Sequence, residues 1–199
     1  MKMLRFALAP VLSLVLAVPA FAEKIPLGEL SRYLNSLKTA EADFTQVNAD
    51  GTISTGKLFI QRPGRVRFEY AAPDKTLVLA SGGQVAIFDA KSNQPPEQYP
   101  LSRTPLNLIL AQNVDLGRAR MVVGHTADDK TTSVIAQDPE HPEYGTIRMV
   151  FTAAPTELRQ WVITDNTGGQ TTLILGDLQK GQTYAPSLFS ITLEADRRD

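Results

Sequence analysis

The sequence predicts a mainly β protein, built as one curved antiparallel sheet with two short helical pieces over one side of it. Three observations lead there. Apolar and polar residues alternate in many short runs, those runs are split by Asp-Gly, Pro-Gly and Gly-Gly pairs at hairpin spacing, and only two stretches read as helix. Strand runs that follow one another through tight turns, without intervening helices, exclude βαβ units and a parallel sheet.

The first residues predict export. Lys2 and Arg5 precede an apolar run from Phe6 to Val18, and Ala20-Phe21-Ala22 is an A-x-A cleavage pattern, so residues 1–22 read as a secretory signal peptide with Glu23 the first mature residue. That run is too short for a membrane span, and no later stretch is long enough. The chain of 199 residues has no cysteine. Export without disulfides points to a bacterial periplasm, since a mature chain of this size buries enough apolar surface to stand without them. The composition of 20 basic and 21 acidic residues shifts to about −3 once Lys2 and Arg5 leave with the signal, which excludes the basic footprint of a nucleic-acid binder. Length and the lack of a repeat or linker predict a single domain over 23–199.

In chain order, Pro26 to Leu37 carries Leu30, Tyr33, Leu34 and Leu37 at i, i+3, i+4 and i+7, the stripe of an amphipathic helix. The period falls to two from Ala40 to Val47, and Asp50-Gly51 closes a turn. The next stretch, Gly56 to Tyr70, organises the rest. It reads as two strands hinged at Pro63-Gly64, with Leu58, Ile60 and Arg62 on one face of the first and Val66, Phe68 and Tyr70 on one face of the second; Arg65, Arg67 and Glu69 take the opposite face. Thr76 to Ser81 and Gln84 to Asp89 form a hairpin about Gly82-Gly83. After a proline-bearing loop and a short extended piece at Gln98 to Leu101, Thr104-Pro105 reads as an N-cap and first helical position. The helix that follows, with Leu106, Leu108, Ile109 and Leu110, is apolar around most of its girth and needs an apolar partner. Further strands are predicted at Ala119 to Val123, Thr131 to Ala136, Thr146 to Phe151, Leu158 to Thr164 and Gln170 to Leu178, with Ser187 to Phe189 docking before a charged tail.

Little in the sequence supports catalysis. Gly51 to Leu58 imitates a phosphate-binding loop, but Leu58 stands where Ser or Thr must meet the metal ion, and a strand follows where a helix is required. Asp138, Glu140, His141 and Glu143 are interrupted by Pro139 and Pro142 and share no face, which reads as a solvated turn and not a metal site. His125 stands alone. No serine elbow or thiol is present, and the carboxylate pairs lie in turns. No enzyme activity and no cofactor are expected. What stands out is Arg62, a cation at the rim of an aliphatic face. Two readings stay open: it snorkels to water, or it donates hydrogen bonds to carbonyls of a covering helix. Val66, Phe68 and Tyr70 read as ordinary core on pattern alone.

The run Ala42-Asp43-Phe44-Thr45-Gln46, with Gly56-Lys57-Leu58 leading to Arg62-Pro63-Gly64 and an aromatic strand, resembles the LolA family of periplasmic outer-membrane lipoprotein carriers. Pro73, Ser81-Gly82-Gly83, Ile87-Phe88-Asp89, Gln98, Pro100-Leu101 and Thr104-Pro105-Leu106 follow in matching order; the likeness is clearest from Ala42 to Leu110. The resemblance implies an open, incomplete antiparallel β-barrel closed by a lid of short α-helices over a hydrophobic cavity. It implies a monomeric chaperone that takes acylated lipoproteins from an inner-membrane ABC exporter of the LolCDE type and delivers them to the outer membrane, commonly through a LolB-type receptor. Arg62 falls on the family's lid latch. The acyl-chain cavity is expected among Leu58, Ile60, Val66, Phe68, Tyr70, Leu30, Leu34, Leu106, Ile109 and Leu110. The alternatives are a lipid- or lipoprotein-sensing periplasmic regulator on the same scaffold and a periplasmic lipid hydrolase, which lacks a nucleophile here.

Overall fold

A computed structural model of the chain describes residues 23–198 except 93, 118 and 119; the predicted signal peptide lies outside the described residues. The order of elements is α1 (Leu27–Ser36), β1 (Thr39–Val47), β2 (Ile53–Gln61), β3 (Arg65–Tyr70), β4 (Leu77–Ser81), β5 (Gln84–Phe88), β6 (Glu97–Pro100), α2 (Leu106–Leu110), β7 (Val122–Ala127), β8 (Thr131–Gln137), β9 (Thr146–Thr152), β10 (Glu157–Thr164), β11 (Gln170–Leu175), β12 (Gln179–Lys180) and α3 (Ile191–Asp196). All twelve strands belong to one antiparallel sheet in the order β6-β5-β4-β3-β2-β1-β11-β10-β9-β8-β7, with β12 added on β1. The two end strands do not pair with each other, so the sheet curls without closing into a barrel.

The hairpins fold as their turn residues dictate. Gly82 and Gly83 both take positive φ (59° and 79°), the conformation a two-residue hairpin needs and one a side chain resists. Alternation then assigns the faces. Leu58 and Ile60 of β2 lie opposite Phe68 and Val66 of β3 on the concave side, and Ile147, Met149 and Phe151 of β9 are fully buried there. This concave face, with α1 and α2, holds the main core; Leu30, Leu34 and Leu37 of the predicted stripe are buried in it and Tyr33 packs against it.

Several boundaries differ from the sequence reading. The strand expected at Ala119 to Val123 runs instead from Val122 to Ala127; Ala119 lies outside the described residues. The pairing slips between Val122 and Gly124, and at Gly124 an added Cβ would lie only 3.1 Å from Cδ1 of Ile135 opposite. The strand expected to reach Leu178 ends at Leu175; the Gly176 N–H still donates across to Asp43 O (2.8 Å), and β12 then pairs with the start of β1. Thr104 does not cap α2: its hydroxyl donates to Leu101 O (2.8 Å), and Pro105 is the capping residue.

The charged tail is a further correction. Residues 186–189 form a 3-10 turn and α3 follows, capped by Ser190, whose hydroxyl accepts from Leu193 N (3.2 Å). This segment covers the convex face of β3 to β5. Phe189 is buried with Leu77, Leu79, Ala86 and Phe88 in a second, smaller core, and Tyr184 meets Phe59 edge-on. Arg67, on the outward face of β3, is only 9% exposed; it donates to Glu69 Oε1 (2.6 Å), Leu188 O (3.1 Å) and Glu194 Oε2 (3.2 Å) and so pins the segment down.

Candidate functional site

Along the concave face the ladder sets Ser54, Gln46, Leu173, Trp161, Met149 and Val134 side by side across six strands. The neighbouring row brings Tyr70, Gly56, Phe44 and Leu175 together. Gly56 is required in that row, because an added Cβ would strike the Glu69 carbonyl and lie 2.8 Å from the Phe44 ring. Phe44 therefore swings over the glycine and meets Phe68 and Tyr70 edge-on at 5.9 and 5.1 Å, and Phe68 meets Trp161 at 6.4 Å.

Between these aromatics and the segment that carries α2 is a cavity of about 500 Å³. Its walls are Phe68, Tyr70, Val78, Val85, Trp161 and Leu173, and Leu106 and Pro105 form its roof. Arg103, Glu143 and Asp165 stand at its edge. The volume lies within the range of ligand pockets, about 300–1,000 Å³. A second, more open depression of about 680 Å³ is bounded by Asp43, Lys57 and Glu69, and no residue of α1 or α2 covers it. Phe44, Tyr70, Ile174 and Leu175 also line it, but a hollow without a roof is poorly suited to keeping apolar chains from water.

Of the ten residues expected in a cavity, Phe68, Tyr70 and Leu106 line it. Leu58, Ile60, Val66, Leu30, Leu34, Ile109 and Leu110 are buried in the packed core beneath the helices. Trp161, Ile163 and Leu173 line it and were not among those expected; the alternation in their strands was visible, but nothing in the sequence said that their faces meet β3.

Arg62 is 7% exposed. Its Nη1 donates to Leu34 O, near the end of α1, and its Nη2 to Ala111 O, just past α2, with a longer contact to Asn35 Oδ1 (3.4 Å). These carbonyls lie at helix ends, which carry the negative end of the peptide dipoles, so a cation is favoured there even though Leu34 O also accepts from Leu37 N (3.2 Å). Burial lowers the Arg62 pKa from its ordinary value, yet guanidinium remains charged. The backbone reinforces the join: Arg62 N donates to Lys38 O (2.8 Å) and Gly64 N to Leu110 O (2.9 Å).

The two helices are fastened differently. Asn35 grips the chain after α2 with both ends of its amide, donating to Val114 O (2.8 Å) and accepting from Val114 N (2.9 Å), and Ser31 Oγ accepts from Leu116 N (2.9 Å). Ser31 and Asn35 sit four apart beside the apolar stripe of α1, the signal that marks them in hindsight. The far side of α1 is tied to the carboxyl-terminal half: Thr156 donates to Glu29 (2.9 Å), Leu158 N to the Tyr33 hydroxyl (3.0 Å), and Lys180 lies 4.7 Å from the Tyr33 ring centre.

The remaining candidates have local duties. Gly51 to Leu58 is a turn running into β2. Asp138 Oδ1 accepts from Glu140 N and His141 N (2.9 and 3.2 Å), and His141 contacts Glu143 at 3.0 Å while stacking on Tyr144. His125 meets Ile25 O at 3.0 Å. Among the described residues, no helix is long and apolar enough to cross a membrane.

A family model described as outer membrane lipoprotein carrier protein LolA matches residues 35–192, most of the chain. The chain belongs to that family. Among curated proteins it is 28% identical over 183 residues to an outer-membrane lipoprotein carrier protein of Methylococcus capsulatus, covering 86% of this chain and 85% of that one. It is 24% identical to the carrier of Chromohalobacter salexigens, over 97% and 95% of the two chains. Among solved structures, a LolA superfamily protein of Nitrosomonas europaea superposes with a TM-score of 0.45 at 10% identity, covering 83% of this chain and 98% of that one. Membership of the LolA family places the aromatic cavity and the Arg62 junction in a lineage named for carrying lipoproteins.

Proposed function

We propose that this protein is a non-enzymatic periplasmic carrier, which accepts acylated lipoproteins from an inner-membrane ABC exporter, shelters their acyl chains between the sheet and its helices, and releases them at the outer membrane to a LolB-type receptor. The observation that carries this reading is Arg62, a buried guanidinium holding the ends of two covering helices beside an apolar cavity. No cofactor enters the reading, and a monomer suffices for it.

A carrier must let go, and magnitudes say how. Burying a methylene contributes about 0.8 kcal/mol, so one sixteen-carbon chain offers roughly 12 kcal/mol, and two or three fully buried chains would pass the practical ceiling of about 20 kcal/mol. Release needs a competing state. In this reading the empty protein closes when Arg62 bonds the helix ends, and Leu58, Ile60, Val66, Leu30, Leu34, Ile109 and Leu110 fill one another's space. Loading parts them, and each charge-assisted bond lost returns about 1.5–3 kcal/mol toward unloading.

Organic extraction of protein purified from the periplasm, followed by mass spectrometry, should recover acyl cargo. Arg62→Leu should load at least as much cargo as the parent, yet pass it to an outer-membrane acceptor at least about tenfold more slowly. Transfer by that variant at the parental rate would count decisively against the latch.

A further inference from the structure

The cavity is lined mainly by apolar and aromatic side chains, with Gln46 and Thr171 the polar residues that the sheet strands bring to it apart from tyrosine hydroxyls. Gln46 shares its ladder row with Leu173, Trp161, Met149 and Val134, where an aliphatic residue would pack better, and it lines the cavity with Tyr70. Its amide is not free to turn. The Tyr70 hydroxyl donates to Gln46 Oε1 (2.7 Å), and Gln46 Nε2 donates to Asn48 Oδ1 (2.6 Å). Asn48 is held in turn by Thr52 Oγ1 (2.9 Å) and Ser54 Oγ (3.4 Å), and Ser54 donates to Asp74 Oδ2 (2.7 Å). Burial pushes the Tyr70 pKa up to about 12, so the phenol keeps the proton it donates to Gln46.

A primary amide has two N–H donors. One of Gln46's is spent on Asn48, and the other has no partner among the described residues. We infer that Gln46 is a docking point for the ester or amide carbonyl at the head of an acyl chain, with Tyr70 as the residue that orients it. The hydrocarbon tail then lies along Phe68, Trp161 and Leu173. Apolar burial is indifferent to where along the cavity a chain stops; a donor held in place beside Phe68, Trp161 and Leu173 sets that depth, and it separates acyl groups from plain alkyl groups. Gln46 is half-buried, so docking exchanges a water for the carbonyl and contributes one net hydrogen bond that an alkyl group cannot make.

This inference rests on the carrier reading, and the test separates the two. Binding of 1-palmitoylglycerol is compared with that of its ether analogue 1-O-hexadecylglycerol, which has the same chain and head but no carbonyl. The parent protein should prefer the ester about three- to tenfold, the effect of one net hydrogen bond. Gln46→Leu should bind both probes equally while keeping its affinity for the ether, which also shows that the cavity is intact. Tyr70→Phe should lower the ester preference without abolishing ether binding. Equal affinities in the parent, or an ester preference that survives in Gln46→Leu, overturns the docking role and leaves the carrier reading standing. Failure of the parent to bind either probe overturns both.

Discussion

The junction at Arg62 makes a prediction that needs no cargo. Replacing Arg62 by Leu removes two charge-assisted bonds, to Leu34 O and Ala111 O, each worth about 1.5–3 kcal/mol. The leucine side chain recovers about 1.5–3 kcal/mol by burial where the guanidinium stood. The difference leaves the helices less tightly closed by about 2 kcal/mol, a factor of about 30 in their opening equilibrium. Amide hydrogen exchange reads this directly. The N–H groups of Gly64, Val114 and Leu116 are engaged only across the junction, by Leu110 O, Asn35 Oδ1 and Ser31 Oγ. They should exchange about 30-fold faster in Arg62→Leu. The amides of Ile147, Met149 and Phe151 in the core of β9 should remain far slower than these in both proteins, since they exchange only through larger openings, and should speed up by no more than the same factor. Lid amides exchanging at parental rates would refute the reasoning.

Other consequences can be checked beside it. Gly56→Ala should lower the melting temperature by about 3–10 °C, because the new methyl meets the Glu69 carbonyl and the Phe44 ring and a backbone atom cannot step aside; a change of about 1 °C or less would show that the row has slack. Burial pushes the Glu194 carboxyl up, but hydrogen bonds and charge from Arg198 and Arg67 outweigh it and hold it below the ordinary glutamate range. A depressed carboxylate contributes stability above its unfolded pKa and loses it as pH falls through the folded one. Glu194→Gln should therefore melt below the parent at pH 7, with the gap narrowing steadily below about pH 4.5; parallel melting curves down to pH 3 would contradict that assignment.

Much of the fold was legible because local rules and tertiary demands agree. Gly82-Gly83 and Pro63-Gly64 mark turns, and alternation in Val66, Phe68, Tyr70 and in Ile147, Met149, Phe151 assigns faces that the packing respects. Arg62 stood out because its strand partners are aliphatic. What stayed hidden depends on long-range pairing. Trp161 and Leu173 reach the cavity only because β11 pairs with β1, more than a hundred residues earlier. Residues 191–198 read as a charged tail because charges dominate them, yet Ile191 and Ala195 pack on the convex core and Glu194 finds Arg67 across 127 residues. Strand ends at Leu175 and Val122 were missed because pairing with the facing strand, not local alternation, sets where a ladder starts and stops.

The unjoined edges of β6 and β7 carry one more implication. A sealed cylinder has its girth dictated by strand number and stagger, so widening it means tearing a seam of backbone bonds. Here the seam does not exist. On the carrier reading, the wall could spread at its gap with every rung of the ladder intact, so that one protein takes guests of differing bulk without being remade for each.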